Sequence, residues 1–214
     1  MEERAAIRRK RPLKLALQVE TWSLLWIVTE TVLSAVAAVS AGSLAMSAFS
    51  VDSAVELVSG VVLLLRLMTE YWTGKDQLSD MVERVAAGTV GSCLLLLAAY
   101  ISFKSGQQLA AKTPVEVSTL GAVVAAVSSL LTPWLASLKH RLGVKLHSHA
   151  LLGDAACSMT CAYMAWTLLA GLAVQWAFGW WWMDAVAALG IVYFVLREAL
   201  ESWTSALTGE AHVH

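Results

Sequence analysis

The sequence predicts an all-α membrane protein of six transmembrane helices with both termini in the cytoplasm. Three observations carry that expectation. Of the 214 residues, 58% are hydrophobic and only 14% charged, whereas a soluble domain of this size carries about a quarter charged residues. The apolar residues fall into runs of ~20, the length that crosses a ~30 Å hydrocarbon core at ~1.5 Å per residue. Lys and Arg gather in alternate connections between those runs, as a cytoplasmic bias requires.

The elements follow in order. Residues 1–14 form a basic N-terminal tail with Arg4, Arg8, Arg9, Lys10, Arg11 and Lys14. The first span is expected over 15–39. Its basic start is that of a signal peptide, but the apolar run is too long for a signal core and contains Glu20 and Glu30. The small-residue turn Ser40-Ala41-Gly42-Ser43 leads into a second span over 44–67. A polar loop with Lys75, Asp76 and Asp80 precedes a third span over 82–103. Thr113-Pro114-Val115-Glu116 reads as a capping box with proline at the first helical position. It opens a fourth span that runs to about residue 138 and is kinked by Pro133. The fifth span covers 149–174 and the sixth 181–200, where Arg197 and Glu198 are expected to snorkel to the interface. Residues 205–214 are too few for a folded domain, so 15–204 is read as one membrane domain.

Orientation rests on the basic residues. Arg66, Lys75 and Arg84 flank or occupy the second connection, and Lys139, Arg141 and Lys145 the fourth; the other side holds Lys104 and Lys112. Trp176, Trp180, Trp181 and Trp182 then fall in an outer turn, where tryptophan marks the lipid interface. A net charge of −1 points away from a nucleic-acid partner.

Asp52 and Glu56 stand one helical turn apart inside the second span. A carboxylate at mid-membrane costs roughly 2.5–3.5 kcal/mol on insertion scales, so such residues mark ion pathways. Cys157 and Cys161 have the same spacing in the fifth span. Counting ~1.5 Å per residue, Asp52 lies ~18 Å and Glu56 ~12 Å above the inner edge, with Cys161 at ~17 Å and Cys157 at ~10 Å. Residues four apart share a helix face, so the two pairs match in depth. Four such ligands suit tetrahedral Zn²⁺, and thiolates favour zinc or cadmium over Mg²⁺ and Ca²⁺. Ligands must lose protons to bind, which gives exchange a thermodynamic basis.

Other residues are read against plainer roles. Cys93 is a small packing residue. Glu30 is either proton-sensitive or a hydrogen-bonding partner of a neighbouring helix. Asp154 either caps the fifth helix or attracts cations to the inner mouth. Glu20 is taken as interfacial and solvated. His140, His147 and His149 sit in a solvated inner loop or form a weak metal-loading patch, and His212 and His214 bind metal nonspecifically.

At these residues the chain resembles the cation diffusion facilitator family of divalent-metal exporters. The resemblance is carried by SLAMSAFSVDSAVELVSGVVLLLRL, SHALLGDAACSMTCAYMAW and GWWWMDAVAALGIVYFVLREALESW, and covers residues 15–204. It implies proton-coupled alternating access, a metal held by Asp52, Glu56, Cys157 and Cys161, and accessory or proton-coupling roles for Glu30 and Asp154. Gly153-Asp154 stands where the family has an Ala-Asp or similar dipeptide. The family usually presents His and Asp where this chain has two cysteines, which shifts the expected preference toward softer ions. The chain looks closest to short bacterial-type members without a cytoplasmic domain. That implies a bacterial plasma membrane and a homodimer formed through membrane helices. Two competing functions remain at this stage: a membrane thiol oxidoreductase using Cys157 and Cys161, and a membrane protein that binds metal without transporting it. A cysteine spacing of four within a helix makes disulfide geometry difficult for the first.

Overall fold

The computed structural model describes residues 2–73, 80–112, 115–116 and 118–208. Six helices follow one another: α1 Glu2–Ala41, α2 Leu44–Thr73, α3 Asp80–Ala111, α4 Thr119–Leu146, α5 His149–Phe178 and α6 Met183–Thr208. Of these, α1, α2, α4 and α5 are long and apolar enough to cross a membrane. Helix is the natural answer in lipid, because it satisfies every interior backbone group within its own segment.

Contacts run α1–α2, α2–α5, α5–α4 and α4–α1, closing a four-helix ring. The α3–α6 pair lies against it, with α6 touching α2 and α5. Two apolar clusters fill the interior. One gathers Met46, Phe49, Leu94, Ile101, Met164, Leu168 and Ile191; the other gathers Leu13, Leu63, Leu67, Leu142, Leu146 and Leu151. Small residues let backbones approach where lipid offers no hydrophobic drive. A Cβ added at Gly171 would stand 2.6 Å from the Ala187 Cβ, and one at Gly60 would stand 2.8 Å from Leu24 Cδ2.

The turns explain themselves locally. Gly42 adopts φ 64° after α1, and the Ser43 N–H donates to the Ala38 carbonyl at 3.1 Å, the Schellman arrangement. Ser43 then caps α2 by accepting from Met46 N at 3.0 Å. Its hydroxyl donates to Asp184 of α6, which also accepts from Leu44 N at 2.9 Å. At the other end Ser148 caps α5, and His147 closes α4 at φ 50°. Arg197 and Glu201 of α6 line a cavity together with His140 and Arg141 of α4, while Lys139 reaches Glu20 of α1. The start of α1 and the end of α6 therefore lie at the same end of the bundle.

Several expectations need correction. The helices outrun the predicted spans, and α1 is continuous from Glu2, so the basic stretch is helical. α4 begins at Thr119 under a Ser118 cap whose hydroxyl accepts from Gly121 N at 3.0 Å; Glu116 precedes the helix, and the 113–116 capping box is not its start. Lys139, Arg141 and Lys145 lie inside α4 rather than in a loop. Pro133 sits mid-helix and cannot donate to the Ser129 carbonyl. The Trp166 indole N–H of α5 donates to that carbonyl instead, at 2.8 Å. Cys93 is exposed on the outer surface rather than packed inside. Lys75, Asp76, Thr113, Pro114, His212 and His214 lie outside the described residues, as do the side chains of Arg4, Arg8, Arg9, Asp80, Arg84 and His149.

Candidate cation site

Helical periodicity selects which polar groups turn inward. On α1 a buried stripe runs Leu13, Ala16, Glu20, Ser23, Leu24, Ile27, Glu30 and Ser34. On α2 it includes Phe49, Asp52, Ser53, Glu56, Gly60 and Leu63, and on α4 Ser128, Thr132, Leu135, Lys139 and Leu142. These stripes face the centre of the four-helix ring and meet the cysteine-bearing face of α5.

Asp52 and Glu56 are buried, at 3% and 5% exposure. The α2 and α5 faces meet directly: Glu56 Oε1 accepts from Ser158 Oγ at 2.7 Å, one residue beyond Cys157. Cys161 turns its thiol toward Glu30 Oε1 at 3.5 Å and also interacts with Glu56. Glu30 accepts from Ser53 Oγ of α2 at 3.1 Å, so three helices share one carboxylate. Cys157 interacts with Glu198 of α6, and the same Glu198 acts electrostatically on Asp52. The depth ruler paired Cys161 with Asp52 and Cys157 with Glu56; the side chains instead lean toward Glu30 and Glu198. Among the described residues, no three His, Cys, Asp or Glu groups converge tightly enough to hold a metal ion in this conformation.

A second group of charges lies toward the end of the ring where α5 begins. Lys139 Nζ donates to Asp154 Oδ2 at 2.6 Å and stands 3.3 Å from Glu20 Oε2, with the Lys139 and Glu20 side chains fully enclosed. It also donates to Ser158 Oγ at 3.3 Å, so the lysine, the serine and Glu56 form a continuous chain. Asp154 is thus an ion-pair partner rather than the cap of α5, a task Ser148 performs. Glu20 is interior rather than interfacial. Glu198 is buried beside Cys157 rather than snorkelling, while Arg197 is exposed and pairs with Glu201 at 3.0 Å.

Sequence reasoning missed Lys139, Ser158, Glu198 and Asp184 as interior groups. The signal existed for Lys139, which falls on the Thr132, Leu135, Leu142, Leu146 stripe at helical spacing. Its neighbours His140 and Arg141 masked that periodicity by making the segment read as a loop.

Carboxylates buried beside thiols and hydroxyls line the interior of helices apolar enough to cross a membrane, where ionisable groups are costly. A model of the cation efflux transmembrane domain matches residues 21–208. The chain belongs to the cation efflux family. Among curated relatives, an uncharacterized transporter of Synechocystis sp. is 26% identical over 162 residues, covering 72% of this chain and 51% of the relative. The cation-efflux pump FieF of Shewanella oneidensis is 26% identical over 170 residues, covering 75% and 55% respectively. The chain thus spans about half the length of these relatives. Family membership and the apolar helices make it an integral membrane protein, as the resemblance to cation diffusion facilitators implied.

Proposed function

We propose that this chain exports a divalent transition-metal cation, zinc or cadmium, in exchange for protons by alternating access. Asp52, Glu56, Cys157 and Cys161 hold the ion in the loaded state, and Glu30 and Asp154 act as accessory or proton-coupling groups. The observation that carries this reading is the direct contact between the acidic face of α2 and the thiol face of α5, through Glu56 and Ser158 at 2.7 Å. The loaded state requires the two thiols to turn off Glu198 and Glu30 and onto a shared ion. Carboxylate and thiolate both ligate zinc, and the thiolates favour it over magnesium or calcium. Binding expels the ligand protons, and protons arriving from the far side return them and release the metal. A bacterial plasma membrane and pairing of two copies through membrane helices belong to the same reading. They are supported by the bacterial relatives and by resemblance to the family.

The test is reconstituted uptake of Zn²⁺, Cd²⁺, Co²⁺ and Mn²⁺ with a pH-sensitive dye in the lumen. Zinc or cadmium flux should be accompanied by opposed proton movement, and Asp52→Ala should abolish both. Normal antiport by Asp52→Ala would remove the site from consideration. Tight binding with no flux would identify a protein that binds metal without carrying it. A thiol-dependent reaction lost in Cys157→Ser while flux persists would favour the oxidoreductase.

A further inference from the structure

We propose that the Lys139 ammonium is a resident counter-cation, which the transported ion must displace to reach Glu56 from the inner end. The inference rests on the proposed function, since it takes Glu56 as a ligand, and it adds a residue that sets the affinity of that site.

One positive charge serves three carboxyl groups here. Lys139 Nζ lies 2.6 Å from Asp154, 3.3 Å from Glu20 and 3.3 Å from Ser158, whose hydroxyl in turn donates to Glu56 at 2.7 Å. The carboxyl groups are not exhausted by this. Glu20 Oε1, Asp154 Oδ1 and Glu56 Oε2 are all buried without a hydrogen-bond partner. Buried acceptors of that kind carry a large desolvation cost unless a cation or donor meets them.

The three groups also form a path. Gly60 lies one turn beyond Glu56 on α2, and a Cβ there would stand 3.0 Å from Glu20 Oε1. Glu20 therefore lies against α2 one turn nearer the inner end than Glu56. Asp154 lies one turn before Ser158 on α5 and faces the same ammonium. An ion entering from the inner end meets Glu20 and Asp154 first, and both are engaged by Lys139.

Lysine suits this task better than arginine. Its ammonium is a compact point charge on a flexible four-carbon stem, able to swing between partners without a fixed fork geometry. A divalent cation and an ammonium within a few ångströms of one another repel, so they compete for these carboxylates. Arrival of the metal moves the ammonium aside. Its return to Asp154 and Ser158 weakens the hold on the metal and helps release. Lys139 is a positioning residue acting through Glu56 and Asp154.

The test compares zinc binding at equilibrium and zinc flux in proteoliposomes across five forms of the full chain. These are the parent, Glu56→Gln, Lys139→Arg, Lys139→Met, and the charge-balanced pair Lys139→Met with Glu20→Gln. Lys139→Met should bind zinc more tightly, by about tenfold or more for a charge this close, and the pair, which loses a carboxylate with the ammonium, should bind it more tightly by a smaller factor. Their half-saturating zinc concentration and maximal flux should both fall. Lys139→Arg, which keeps the charge, should stay nearer the parent. A merely structural lysine would lower the yield of folded protein and leave affinity unchanged in what folds. The pair decides the matter if Lys139→Met alone does not fold, since it removes the ammonium and a carboxylate together. Unchanged or weaker zinc binding in the folded variants overturns the inference, while the transporter reading stands if Glu56→Gln still loses binding. A parent that neither binds nor moves zinc, or a Glu56→Gln variant that binds normally, overturns the proposed site itself and this inference with it.

Discussion

Two levels of the same four-helix ring hold buried carboxylates, and they satisfy them differently. At mid-membrane, Glu30 and Glu56 are met by the hydroxyls of Ser53 and Ser158 and by the Cys161 thiol. Toward the end where α5 begins, Glu20 and Asp154 are met by the ammonium of Lys139. The upper level has neutral partners, two hydroxyls and a thiol, and no positive charge of its own among them. The lower level has a cation of its own, held by an ion pair whose rupture leaves buried charge behind. In the proposed transport cycle the first level exchanges cations and the second regulates entry, and Ser158 is bonded to both, through Glu56 and Lys139.

Breaking each level should therefore give opposite signatures. The largest effect is expected from Asp52→Ala and Glu56→Gln, which should reduce metal flux in proteoliposomes to background with little change in thermal unfolding. Asp154→Ala should act mainly on stability, since removing one partner of a buried ion pair costs about 3–5 kcal/mol; detergent-solubilised unfolding would measure it. If Asp154→Ala unfolded like the parent, the Lys139–Asp154 ion pair would not stabilise the lower level. Gly60→Ala sharpens the comparison from the backbone side. Its Cβ would meet Leu24 Cδ2 at 2.8 Å and Glu20 Oε1 at 3.0 Å, so overpacking should cost about 1–3 kcal/mol and perturb zinc affinity through Glu20. Trp166→Phe lies outside both levels. It strips the donor from the carbonyl that Pro133 leaves unpaired, and should cost about 1–3 kcal/mol without altering the metal preference of the residual flux. The smallest effect is expected from Arg197→Ala. That exposed pair with Glu201 contributes no more than ~1 kcal/mol, so both stability and flux should stay near the parent.

Of this contrast only the upper level was visible in one dimension. Asp52 and Glu56 stand out because carboxylates deep in an apolar run are costly, and the cysteine pair stands out through matching spacing and depth. Lys139 did not stand out, because Lys139-His140-Arg141 has the composition of an interfacial loop. Only the length of α4, which continues to Leu146, places it inside. Glu198 was hidden in the same way by Arg197 beside it, although a one-residue step turns a side chain by about 100° on a helix. Pro133 was legible as a disturbance, but not its remedy, because Trp166 lies on another helix.

The sequence alone determined six helices, their order and the carboxylates and thiols from which a cation site is proposed. Those properties follow from run length, spacing and the cost of burying charge, all of which act along a single chain. Tertiary packing decided which carboxylate each partner meets: Glu56 with Ser158, Glu30 with Cys161, Asp154 and Glu20 with Lys139. The physical reason is that helix rotation and crossing depend on how small residues such as Gly60 and Gly171 let neighbouring backbones approach. A shift of one residue in that packing would send the same polar groups to different partners.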